Sequence, residues 1–373
     1  MTKKDINKQP FHEATMLKLE IFRKCFREWF PVFVHHPGVK KIFIYDMFAG
    51  SGTDPEGNPG SPIILLDEAH YHCLALDKNE KPVIFGFNDK EKEKKELLNQ
   101  VKDDFLQKCS STCPLEKCIF SKAIFCKDSS FEEIMKNERF GEILVNKKYA
   151  KFILLDQYGF SQITEDVFLK LVTSPLTDFI FFISSSFIKR FRDMKAVKAY
   201  IDTNKLDFEE TKPKECHRII ADYFRNLIPT NKEYYIHHFT IQKGTNYYGL
   251  IFGTNHTLGM EKFVKVCWIE DENSGESNCN IDNDFEKGSL FYDPMNTTKK
   301  IRIKEELEQL ILNGEKKSNV EGLKWVLSRG CEPKLFVEVI SSLLKQKKVT
   351  IQGEFNRQSS NIHRVEEYKI EVL

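Results

Sequence analysis

Apolar positions recur at helical spacing over residues 13–33 (Leu17, Ile21, Phe22, Cys25, Trp29 and Phe33), predicting an amphipathic helix that ends before Pro37-Gly38. Lys18 and Arg23 fall on its opposite face and are expected in solvent. Short apolar runs follow at 41–46, 83–89, 123–128, 152–156 and 179–184. Runs of this length suit strands buried on both faces. Between them, residues 63–76, 90–106 and 164–172 return to helical periodicity, and 187–228 reads as charged helices. Residues 234–242 and 247–253 flank Gly244-Thr245-Asn246, the pattern of an antiparallel hairpin. Strands alternating with helices and closed by a hairpin predict an α/β fold, a Rossmann-like doubly wound sheet.

The pattern changes after residue 270. Residues 271–300 are polar and turn-rich and read as a linker, separating a domain over 1–270 from a tail over 301–373. The tail carries helical periodicity at 303–312, 320–328 and 333–344, then strands at 349–353 and 367–372. Three helices followed by two strands is a winged-helix pattern, in which the third helix reads a major groove. Lys334, Lys345, Lys347, Lys348, Arg357 and Arg364 are its candidate nucleic-acid contacts. Acids are nearly as numerous there, so a protein-binding winged helix is an equally open reading.

Composition narrows this little. With 41% hydrophobic and 30% charged residues and a net charge of +1, the chain is of ordinary globular type, without a global pull toward nucleic acid or membrane. No apolar run reaches membrane-spanning length, and the N-terminus lacks the apolar core of a signal peptide, so a cytoplasmic location away from membranes is expected. Ten cysteines are then expected as reduced thiols. Cys109, Cys113, Cys118 and Cys126 match no zinc-knuckle spacing; they read as scattered thiols, and no metal is expected.

Candidate chemistry centres on Asp46-Met47-Phe48-Ala49-Gly50-Ser51-Gly52, where the first strand runs into a paired-glycine turn. Glycines there let a backbone approach a ligand closely. The form D-x-F-A-G-x-G, without the third glycine of a dinucleotide site, favours S-adenosylmethionine (SAM). Candidate cofactor residues are Asp46, Phe48, Ala49, Gly50 and Gly52. Asp89 and Asp128 join them: they close the second and third strands, where ribose hydroxyls and the adenine amino group would be held. Each acid alone is equally readable as a helix cap. Parallel strands closed by an antiparallel hairpin also form the sheet plan of class I SAM-dependent methyltransferases.

Several stretches together resemble one family, the three-Cys-motif partner proteins (TcmP), over most of the chain. They are Trp29-Phe30-Pro31 within the first helix, the Phe48-Ala49-Gly50-Ser51-Gly52 turn, Gly60-Ser61-Pro62, Asn88-Asp89-Lys90 and Leu155-Asp156-Gln157-Tyr158-Gly159. The resemblance implies a methyltransferase-like SAM fold and a neighbouring radical-SAM-like partner protein with three cysteines. The family's exit from the fourth strand looks like Asp-Pro-aromatic-Gly; here Gln157 stands in place of the proline.

In amino-methyltransferases an acid at this point accepts hydrogen bonds from a target NH2, and an aromatic stacks on the flipped base. The expected catalytic set is Asp156, Gln157, Tyr158 and Gly159, with Asp156 as acceptor and Tyr158 as platform. The function expected is methyl transfer to an exocyclic amine of a base in structured RNA or DNA. The alternative is a SAM-fold subunit that recognises nucleic acid or a partner without catalysis. No paired acids with the lysine spacing of a restriction nuclease stand out.

Overall fold

The computed structural model describes residues 9–113, 115, 118–157, 159–285, 288–353, 362 and 366–373. Arg357, Arg364 and Tyr158 lie outside the described residues.

In chain order the elements are α1 (Glu13–His35), β1 (Lys41–Asp46), α2 (Ser61–His70), α3 (Cys73–Lys78), β2 (Val83–Asn88), α4 (Lys92–Thr112) and β3 (Ile124–Lys127). Next come α5 (Phe131–Lys136), α6 (Glu138–Val145), β4 (Tyr149–Leu155), α7 (Glu165–Thr173), β5 (Thr177–Ile183), α8 (Ser185–Phe191), α9 (Lys195–Lys198) and α10 (Cys216–Asn226). The hairpin β6 (Tyr235–Lys243) and β7 (Asn246–Thr254) leads to α11 (Thr257–Glu270). The tail holds α12 (Lys299–Leu312), α13 (Asn319–Ser328), α14 (Lys334–Lys345), β8 (Val349–Gln352) and β9 (Lys369–Val372).

The main sheet has seven strands in the order β3-β2-β1-β4-β5-β7-β6. β1 to β5 are parallel; β7 runs antiparallel to both β5 and β6. This is the doubly wound, Rossmann-like sheet with an antiparallel edge hairpin that the sequence pattern predicts. Along β4, Phe152 and Leu154 enter the core beneath α1, α2, α4 and α11. Ile153 and Leu155 enter the opposite core beneath α5 to α8 and α10. Strand alternation thus fills both faces, which is why these segments lack polar positions. Each fully buried Phe or Leu contributes about 1.5–3 kcal/mol.

Buried polar residues interrupt the apolar strands at several positions, one of them a lysine. Lys151 of β4 is fully buried, and its Nζ donates to the carbonyls of Leu144 (2.9 Å) and Asn146 (3.1 Å) at the C-terminal end of α6. A cation there satisfies carbonyls that the helix leaves without partners. Lys151→Ala is expected to lower unfolding stability by about 3 kcal/mol or more in urea titrations, through orphaned carbonyls and a cavity. An unchanged midpoint would contradict that role.

A third core joins α12, α13, α14, β8 and β9 to Met260, Val264 and Trp268 of α11. Trp268 Nε1 donates to the Gly330 carbonyl at 2.9 Å. The tail therefore has the three helices and antiparallel strand pair expected of it. The 271–300 stretch, expected as a linker, packs partly on the sheet edge: the Thr240 amide of β6 donates to Glu276 O at 2.7 Å, and Asn278 N to Thr240 O. Among the described residues, no helix is long and apolar enough to cross a membrane.

Candidate functional site

The strand order reverses around β1. The chain leaves β1 for β2 and β3 on one side, then crosses to β4 on the other. The crevice beyond the carboxyl ends of β1 and β4 is the topological switch point, where open α/β sheets bind ligands. The order β3-β2-β1-β4 sets Asp128, Asp89, Asp46 and Asp156 along one edge, each at or just past its strand's end.

These four acids are not equivalent. Asp46 is fully buried; its Oδ1 accepts from the Phe48 amide (3.2 Å) and its Oδ2 from Ser61 Oγ (2.6 Å). Burial pushes its carboxyl up to about 7; the Ser61 hydrogen bond opposes that rise, and the charge of Asp156 adds to it. Ser-Pro is a common way to cap and open a helix, but here Gly60 is the cap and Ser61 opens α2, which frees its hydroxyl for Asp46. Asp156 is bound by Lys18 Nζ at 2.5 Å, and the same ammonium lies 4.8 Å from the Phe182 ring centroid. Lys18 is therefore not solvated as its helical position suggests; its side chain is 12% exposed. Arg23 is likewise engaged, with Arg27, by the buried Glu68 of α2. Helix α1 packs against the sheet, α2 and α11 together, so its polar face meets protein as well.

Asp89 lies one residue past the end of β2, accepts from the Glu91 amide (3.0 Å) and faces Lys94 at 3.7 Å. Its neighbour Asn88, which the sequence marks only within the Asn88-Asp89-Lys90 stretch, is a further residue of this edge. Asn88 is buried, donates to Met47 O (3.2 Å) and Ser129 O (3.0 Å), and accepts from Ser129 N (3.1 Å). It ties the turn after β1 to the one after β3. Asp128 is exposed and paired with Lys95 at 3.0 Å, which holds its carboxyl below the usual range.

The glycine turn follows expectation in shape. Gly50 and Gly52 have φ of 63° and 85°, left-handed conformations that disfavour side chains. At Gly52 the space a Cβ would need is filled from within: Val101 Cγ2 of α4 would sit 2.8 Å away. That glycine serves packing against α4. Ala49 N donates to Asn88 O at 2.8 Å, and the Phe48 ring lies 5.3 Å from that of Phe131.

Gln157, expected in the catalytic set, is tied into the fold. It is 1% exposed; its Nε2 donates to Phe182 O (3.2 Å) and its Oε1 accepts from Gln162 N (2.8 Å). The side chain braces the β4 exit against β5. A proline would fix this turn through φ; glutamine fixes it through two buried hydrogen bonds. Gly159 completes the turn at φ 96°, its carbonyl accepting from Ser184 N at 3.2 Å. Gln157→Ala is expected to cost about 1–3 kcal/mol in chemical denaturation by leaving these partners unpaired. No loss would contradict the bracing role.

The four described tail lysines are all exposed. Lys348 pairs with Glu308 at 3.0 Å, and Lys334 approaches Glu338 at 4.0 Å. Lys345 and Lys347 are exposed. A second polar crevice, about 500 Å³, lies at the β6 edge beside His237 and His238. Its Arg218 donates to Glu276 and Asp282, and Arg302 to Asp282, so these charges fasten the segment around Glu276 and Asp282 to α10 and α12.

The sequence matches no family model and no curated protein. Among solved structures, the chain is similar to the O-methyltransferase from Bacillus cereus in complex with SAH, at 10% identity and TM-score 0.32, over 66% of this chain and 92% of that one. It is also similar to M. jannaschii TYW2 in complex with AdoMet, at 8% identity and TM-score 0.30, over 67% of this chain and 78% of that one. Likenesses this distant carry no chemistry across; the fold assignment rests on the strand order itself.

Proposed function

We propose that the chain is a SAM-dependent methyltransferase acting on an exocyclic amine of a nucleic-acid base. The observation that carries the reading is the switch point itself, with a buried carboxylate, a left-handed glycine turn and a second carboxylate on the neighbouring strand. The residues fit a cationic ligand. Asp46 and Asp156 present two carboxylates against the single ammonium of Lys18.

Asp46, with Ser61 and the Phe48–Gly52 turn, would hold the amino-acid end of SAM, and Asp89 the ribose. SAM, when bound, supplies an activated methyl group on a sulfonium. Asp156 would accept a hydrogen bond from the target amine and keep its nitrogen lone pair oriented, once Lys18 releases the carboxylate. Gln157 and Gly159 would hold the β4 exit, and Tyr158 would stack on the target base. Partners in keeping with the sequence are structured RNA or DNA and a radical-SAM-like three-Cys protein, with the tail as docking module.

A second reading has its own support. Lys18 occupies the carboxylate that would orient the amine, as expected of a subunit that binds SAM and recognises a partner without catalysis. Incubation with methyl-labelled SAM and total RNA or genomic DNA separates the two. Label transfer supports the enzyme. SAM binding without transfer to either nucleic acid, with or without the partner, supports the binding subunit and overturns the enzyme.

A further inference from the structure

We propose that Cys109 and Cys118 form a peroxide-reactive thiol pair that closes to a disulfide. Cys109 is buried in the last turns of α4, and Cys118 is half-buried between α4 and β3. Their sulfurs are 3.3 Å apart, nine positions apart in sequence. A disulfide needs about 2.05 Å, so an approach of roughly 1.3 Å joins them. His70 Nδ1, at the C-terminal end of α2, lies 3.5 Å from Cys109 Sγ. Sequence spacing suggests scattered thiols; folding brings these two into contact and sets a ring nitrogen beside them.

The surroundings divide the labour. Burial, then the contact with Cys118 and the charges of nearby Cys113 and Cys73, push the Cys109 thiol up to about 12, so it stays protonated. Cys118, the more accessible sulfur, meets the oxidant first. Its thiolate attacks one oxygen of hydrogen peroxide: the S–O bond forms, the O–O bond breaks, and the leaving hydroxide takes a proton. The products are water and a neutral sulfenic acid. Cys109 Sγ then attacks the Cys118 sulfur. The S–S bond forms, the S–O bond breaks, and hydroxide leaves. His70 Nδ1 accepts the Cys109 proton and passes it to the hydroxide, giving a second water. Two thiols lose two protons and two electrons, and one peroxide becomes two waters.

The test uses the full-length reduced protein, exposed to hydrogen peroxide, alkylated with N-ethylmaleimide, digested and mapped by mass spectrometry. The expected product is a Cys109–Cys118 linked peptide pair that dithiothreitol separates. Cys109→Ser should leave Cys118 as a sulfenic acid captured by dimedone. His70→Asn should slow ring closure by about tenfold or more, so that dimedone captures Cys118 with Cys109 still present. The proposal is overturned if both cysteines of the wild-type protein remain alkylatable after peroxide. It is equally overturned if the purified chain carries one equivalent of zinc whose removal must precede their oxidation.

Discussion

Asp46→Asn is expected to make the ligand-free protein more stable at pH 8 while weakening its hold on SAM. The carboxyl of Asp46 is held near 7 in the fold by burial, against about 3.9 in an unfolded chain. Between these values the folded state binds a proton that the unfolded state does not. The stability this group contributes is complete below about pH 4 and is lost as pH rises through about 7. The rise from about 3.9 to about 7 sets an upper bound of about 4 kcal/mol on that contribution. Asparagine accepts from the Phe48 amide through its oxygen and donates to Ser61 Oγ through its NH2, without the buried charge, so a gain of about 1–3 kcal/mol at pH 8, vanishing by about pH 4, is expected. Asp178, also buried and raised to about 6, shapes the wild-type curve in the same direction, so the difference between the two proteins isolates Asp46. Parallel pH–stability curves would contradict the assignment.

The second large effect concerns Asp156. Asp156→Ala is expected to lower methyl incorporation on the order of 100- to 1,000-fold while SAM binding is retained, because the lost hydrogen bond orients only the accepting amine. Lys18→Ala separates the roles further. If Lys18 only shields the carboxylate, its removal leaves incorporation equal or higher. If it orients Asp156 at 2.5 Å, incorporation falls with it. Equal incorporation by wild-type and Asp156→Ala proteins would remove Asp156 from the mechanism.

Much of the scaffold is readable because burial on both faces leaves a strong mark. The runs at 41–46, 152–156 and 179–184 are strands as expected, and Asp46 stands where its position after β1 implies. Helix α11 escapes the pattern for the converse reason. It is sandwiched between the sheet core and the tail core, so it carries apolar residues on two sides and shows no single stripe. Helices α5 and α6 are also absent from the periodicity, although Ser130 and Glu133 form a capping box and Asn137 caps the next helix. That local signal lies in the sequence.

Side-chain roles in the site are harder to read because they depend on what lies across a gap. Lys18 sits on the helix face that periodicity sends to solvent, and only the approach of the β4 exit turns it into a partner for Asp156. Asn88 and Asp89 differ by one position, but Asn88 is the last, buried residue of β2 and Asp89 lies just past the strand. Gln157 looks like a departure from a catalytic motif; its two buried hydrogen bonds show a different means of holding the same turn. Cys109 and Cys118 meet with their sulfurs 3.3 Å apart, a contact that spacing rules do not describe.

The most direct test of the central claim is calorimetric titration of SAM into the wild-type protein and into Asp46→Asn. A one-to-one complex with a dissociation constant on the order of 1–100 µM, weakened at least about tenfold in the variant, is the predicted result. No heat of binding at millimolar SAM, or equal affinity in the two proteins, would contradict a cofactor site at the carboxyl ends of β1 and β4.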